Sequence, residues 1–170
     1  MALFGKINAM ISLGILSWHA HETLTRTLTS CAALSPLVDE RVIWFNEISD
    51  ADRALAAKFG FEARGTMENL GILGGTHALL ESLSGDIVIS CQNDNPVSVA
   101  PDLLKSRLAD AVAALRSGEA EWVRLRNRFE PGFSDKAKFL RYWGPGAACV
   151  CRRLLRPGKA ARLAGRAVAA

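Results

Sequence analysis

Four polar residues, Gln92-Asn93-Asp94-Asn95, directly follow the run Asp86-Ile87-Val88-Ile89-Ser90-Cys91, and only Asp94 among them is charged. A carboxylate at a strand end is the hard oxygen ligand that magnesium or manganese favours, with ligand phosphates and water completing the shell. The same letters also spell an ordinary turn. His19-x-His21 puts two imidazoles within reach of one metal. With only His77 left in the chain, capping and solvent-facing roles suit the pair better. The stretch NLGILGG, residues 69–75, has neither the G-x-G-x-x-G spacing of a dinucleotide site nor the lysine of a phosphate loop. It reads either as a tight turn into a helix or as backbone that a ligand approaches closely. Trp18 and Trp44 each offer a packing surface or a stacking face.

The elements that must position these residues follow from periodicity. Residues 11–17 (ISLGILS) and 40–45 (ERVIWF) are strand-length apolar runs, and DIVISC, 86–91, is another. FEARGT, 61–66, is a shorter strand and EWVRLRNRF, 121–129, a fifth. Leu24, Leu28, Cys31 and Ala32 recur at helical spacing until Pro36. Ser49 caps a helix that closes at Gly60, a third helix ends near Gly85, and a fourth opens on Pro101 with Leu104, Leu108, Ala111, Val112 and Leu115 on one stripe. SDKAKFLRYW, 134–143, reads as a last short helix. Strand and helix alternate, so the expected class is α/β, a three-layer sandwich around a mostly parallel sheet. Ligands of such sheets sit at the carboxyl ends of the strands. That places Ser17-Trp18-His19, Asn46-Glu47, Asn69-Leu70-Gly71 and Gln92-Asn93-Asp94 on one rim.

Whole-chain numbers narrow the function. At 170 residues the chain fits one domain with a real core, and 49% apolar against 22% charged residues excludes wholesale disorder. No run approaches the ~18 apolar residues of a membrane span. The opening MALFGKINAMISLGIL reads as the approach to the first strand, without the cleavage pattern of a signal peptide. Cys31, Cys91, Cys149 and Cys151 are expected as reduced thiols of a cytoplasmic protein, and Cys149-x-Cys151 is too tight for common zinc spacings. The net charge of +4 comes from residues 144–170, which carry six bases and no acid; the body holds 15 bases against 17 acids. The body is therefore no nucleic-acid binder by charge.

In their order and spacing, the segments ISLGILSWHAHETLTRTLTS, VIWFNEIS and ENLGILGGTHALLESLSGDIVISCQND, and more loosely VRLRNRF and FSDKAKFLRYW, resemble the family 2 glycosyltransferases. The resemblance implies a nucleotide-diphospho-sugar transferase fold over residues 1–143, the donor half. It implies that Ser17, Trp18, His19, Asn46, Glu47, Asn69, Gly71 and Asn93 hold the nucleotide of a nucleotide-diphosphate sugar. The family's D-x-D metal signature falls on Gln92-Asn93-Asp94, so a divalent metal would rest on Asp94 with Gln92 as a poorer, neutral ligand. Family members continue into an acceptor half that carries the base. Residues 144–170 look instead like a truncated end, a basic tail expected to be disordered or helical, whose charge suits peripheral contact with an acidic membrane.

The implied reaction is transfer of a sugar to an acceptor hydroxyl. Glu121 and Asp135 are the late acids available as its base. A vestigial, non-catalytic nucleotide-sugar-binding domain is the alternative, and a flavodoxin-like binding module shares the element order without accounting for N-x-G and Q-N-D together.

Overall fold

The computed structural model describes residues 9–125 and the backbone strand 167–169. Strands β1 (Ile11–Ser17), β2 (Glu40–Asn46), β3 (Glu62–Thr66) and β4 (Ile87–Gln92) alternate with helices α1 (His21–Ser30), α2 (Asp50–Lys58), α3 (Gly71–Ser82) and α4 (Pro101–Arg116). Two short strands, β5 (Trp122–Arg124) and β6 (Ala167–Ala169), complete the sheet. The order is β3-β2-β1-β4-β6-β5 and every pairing is parallel. The strand order reverses direction at β1, between β2 and β4, which in open parallel sheets is where a crevice forms outside the carboxyl ends.

The two faces of the sheet explain why β1 reads as an unbroken apolar run. Alternate side chains point to opposite faces, and here both faces are covered. Leu13, Ile15, Ile43, Phe45 and Ile89 pack with Leu24 and Leu28 of α1, Ala56 of α2 and the Leu104, Leu108, Ala111, Val112, Leu115 stripe of α4. Leu16, Val42 and Val88 pack on Leu79 and Leu83, in and just beyond α3. A strand buried on both sides cannot show polar alternation. Cys31 and Cys91 are free thiols inside the first of these clusters.

At the amino edge, Glu40 ties three elements together. It accepts from the Ser12 hydroxyl and from the Ser84 backbone N–H at 2.8 Å, and Arg64 Nη2 lies 3.3 Å from its Oε1. Among the described residues no helix is long and apolar enough to cross a membrane.

Two boundaries differ from the sequence reading. The glycine-bearing stretch 69–75 is helix from Gly71 onward, so Gly74 and Gly75 lie within α3 rather than in a loop. Residues 167–169 of the tail, where disorder or helix was expected, form the backbone strand β6, with Val168 in register between Ile89 and Val123. The helix expected at 134–143, the 126–129 end of the fifth strand, Asp135, Cys149, Cys151 and the rest of the basic tail lie outside the described residues.

Candidate functional site at the carboxyl rim

The tips of β1 and β2 are joined by side chains. Trp18 Nε1 donates to Glu47 Oε2 at 2.6 Å, and His19 Nε2 lies 3.1 Å from the same oxygen. The Trp18 and His19 rings are tilted against each other with centroids 5.2 Å apart. His19 and Glu47 both have left-handed backbone, with φ of 44° and 59°. Non-glycine residues rarely adopt that region, and those that do cluster at binding sites where surrounding contacts over-determine them. The Trp18 hydrogen bond outweighs the opposing effect of partial desolvation and, helped by His19, holds the Glu47 carboxyl below the usual carboxylate range. Trp18 nonetheless remains 52% exposed.

Asn46 and the start of α3 form the next contact along the rim. Asn69 Oδ1 accepts the Gly71 N–H at 2.7 Å, Gly71 turns left-handed at φ 68°, and its carbonyl accepts from Asn46 Nδ2 at 3.2 Å. The N-x-G sequence is thus a helix start fastened to β2. Asn46 is buried, and among the described residues its Oδ1 has no hydrogen-bond partner; the buried atoms Ser17 Oγ and Trp44 Nε1 likewise have none there. Buried polar atoms are rarely left so. Trp44 itself packs against the α3-side cluster.

The Q-N-D turn is anchored to β1 and α1. Asn93 N–H donates to the Leu16 carbonyl at 3.0 Å, and the Asn93 carbonyl accepts from Thr27 Oγ1 at 2.7 Å. Asn95 N–H closes the turn on the Gln92 carbonyl at 3.1 Å. The segment is a turn, and it carries Gln92 and Asp94, both exposed, at the rim beside the end of β1. As a metal site the donor set is sparse. Asp94 supplies the one carboxylate of the turn, and among the described residues no three His, Cys, Asp or Glu side chains are grouped to hold an ion. Such a set fits a magnesium or manganese ion only where phosphate oxygens complete its shell.

Helix starts add a second kind of donor. α1, α3 and α4 begin on this rim with Ala20, Leu70 and Ala100 at their N-caps, none of which makes a side-chain cap among the described residues; in α3 the first N–H, that of Gly71, goes to Asn69 Oδ1, and α4 opens on Pro101, which has no N–H. Among the described helices only α2 has side-chain caps, Ser49 and Asp52 in reciprocal bonds. His21 turns away from any metal role and pairs with Asp52 at 2.6 Å.

Ser17, Trp18, His19, Asn46, Glu47, Asn69, Gly71, Gln92, Asn93 and Asp94 are accordingly brought to one edge. Glu121 is not: it immediately precedes β5, at the amino end of a parallel strand and hence on the opposite edge. Sequence reasoning missed Thr27 and the Trp18–Glu47 bond, because a partner 66 or 29 residues away leaves no local signal.

No family model and no curated protein matches the chain. Solved structures do. Mannosyl-3-phosphoglycerate synthase from Rubrobacter xylanophilus superposes with a TM-score of 0.56 at 17% identity, covering 81% of this chain and 49% of that one. Glucosyl-3-phosphoglycerate synthase from Mycobacterium tuberculosis gives 0.57 at 19%, covering 84% and 55%. The fold is that of the nucleotide-diphospho-sugar transferases. A further structure of the Mycobacterium tuberculosis enzyme, in complex with Mn2+, uridine diphosphate and glucosyl-3-phosphoglycerate, matches at 0.57 and 18% identity over 81% of this chain and 51% of that one. The chain spans about half the length of these transferases.

Proposed function

We propose that this chain is the donor-binding half of a glycosyltransferase of family 2 type, taking a nucleotide-diphosphate sugar at the carboxyl rim. The observation that carries the reading is the linked rim itself: on a nucleotide-diphospho-sugar transferase fold, Trp18, His19 and Glu47, then Asn46 and Gly71, then Asn93 and the end of β1 are joined by hydrogen bonds into one continuous edge. Ser17, Trp18, His19, Asn46 and Glu47 flank the nucleoside, with Asn69, Gly71 and Asn93 on the side of the diphosphate. The opening amides of α1, and those of α3 that follow Gly71, would meet developing negative charge, which a helix N-terminus stabilises. A divalent cation, held by Asp94 and Gln92 together with donor phosphates, would supply further charge neutralisation. Since the Mycobacterium tuberculosis enzyme of this fold is seen in complex with Mn2+, uridine diphosphate and phosphoglyceric acid, those are the first ligands to try, phosphoglycerate as acceptor.

Thermal unfolding with UDP or GDP, each with and without Mn2+, tests the reading. The nucleotide is expected to raise the melting temperature and Mn2+ to add to it. Asp94→Asn should abolish the manganese increment and Gln92→Asp should enlarge it. A rise with nucleotide but no response to manganese in any variant supports the non-catalytic binding domain instead. No response to either nucleotide rejects both.

A further inference from the structure

Within the nucleotide-binding reading, on which this inference rests, we infer that Glu47 is a positioning residue that acts through Trp18 rather than a direct nucleoside ligand. Both donors at the rim, Trp18 Nε1 and His19 Nε2, converge on the single oxygen Oε2 of Glu47. An oxygen that already accepts two hydrogen bonds has little capacity left for a ligand, so Oε2 is committed to the indole and the imidazole, while Oε1 keeps its own lone pairs. The indole gains what Glu47 gives. A Trp side chain on a strand tip has free rotation about two bonds, and one charge-assisted bond at 2.6 Å removes most of it.

The backbone supports the same assignment. His19 and Glu47 are the two non-glycine residues with left-handed φ among the described residues, and they stand at the ends of neighbouring strands. The His19 and Glu47 side chains meet, and with Trp18 the two aromatic side chains and the carboxylate close into one clasp. The clasp leaves Trp18 half exposed, and among the described residues no other aromatic side chain is among the large exposed apolar ones. A ring fixed at its N–H edge and half exposed is a preset stacking surface, and presetting it lowers the ordering cost of binding.

An indole 15N–1H correlation spectrum of the full chain, with the Trp18 signal assigned by its loss in Trp18→Phe, is read alongside UDP titration. Glu47→Ala should move the Trp18 signal to that of a free, solvent-exposed indole. Glu47→Gln, whose amide oxygen still accepts the N–H, should hold it near its wild-type position. Glu47→Ala and Trp18→Phe should each weaken UDP by about tenfold, the scale of one lost charge-assisted hydrogen bond. The double variant should be no weaker than either single one.

An unmoved Trp18 signal in Glu47→Ala overturns the inference. So does a double variant that loses the product of the two effects, or a Glu47→Gln that binds as poorly as Glu47→Ala with its indole signal intact, since both place Glu47 on the nucleotide itself. If the wild type binds neither UDP nor GDP, the proposed function falls, and the response of the Trp18 signal to Glu47→Ala alone decides whether the clasp exists.

Discussion

A Cβ on Gly75 would lie 2.8 Å from Asn46 Oδ1 and from Leu16 Cδ1, closer than side chains tolerate, so α3 can approach β1 and β2 as it does only where that atom is missing. The approach is what lets Asn46 Nδ2 reach the Gly71 carbonyl. Gly75→Ala is therefore expected to destabilise the protein by about 1–3 kcal/mol through overpacking, measured as a lower urea midpoint with an unchanged m-value. Because the intruding methyl meets Asn46, nucleotide affinity should fall as well. In the sequence, Gly75 read as one of a loop's flexible glycines. Its use is the reverse: it sits inside a helix, where its missing side chain matters and its flexibility does not. Asn46 was legible as a rim residue from the end of an apolar run, but its attachment to Gly71 was not, because that depends on where α3 starts.

Elements whose signals are local came through the sequence intact. β1, β2 and β4 are continuous apolar runs because both sheet faces are covered, and the α4 stripe from Leu104 to Leu115 is buried as its spacing requires. α2 shows its start in the letters Ser-Asp-Ala-Asp: Ser49 Oγ and the Asp52 carboxylate exchange bonds with each other's backbone N–H. Ser49→Ala removes one half of that exchange and should cost about 1 kcal/mol, seen as a lower thermal midpoint, whereas Ser49→Asn should nearly preserve it. The start of α3 was obscured because glycines at three of its first five positions weaken any helix signal. The left-handed tips at His19 and Glu47 were invisible for a related reason: neither is Gly, Asn or Asp, the residues that usually announce such a turn. Thr27 belongs to the same class of hidden contact, since its buried hydroxyl on α1 fixes the Asn93 carbonyl.

Two carboxylates at opposite ends of the sheet couple the whole molecule to pH. Burial alone would raise the Asp52 carboxyl, but bonds from the Ser49 hydroxyl and backbone N–H and from His21 outweigh it, and the net displacement is downward. Glu40 follows the same pattern: burial opposes, while the Ser12 hydroxyl, the Ser84 N–H and Arg64 prevail, and its value is lowered. A native pKa below the unfolded one means that the unfolded chain binds protons first as acid is added. The stabilisation is complete above the unfolded values near ~4 and is lost as pH falls through the native values beneath them. Glu47 and Glu62 are lowered too, but they are exposed, and solvent screening leaves them a small share. Urea midpoints measured from pH 7 to pH 2.5 should accordingly stay level down to about 5 and then drop. Asp52→Asn should start lower at pH 7, having lost its charge-assisted bonds to His21 and Ser49, yet decline less steeply in acid because one of the two coupled protons is gone. A variant curve parallel to that of the wild type through the acid limb would mean that Asp52 is not among the groups whose protonation opens the fold.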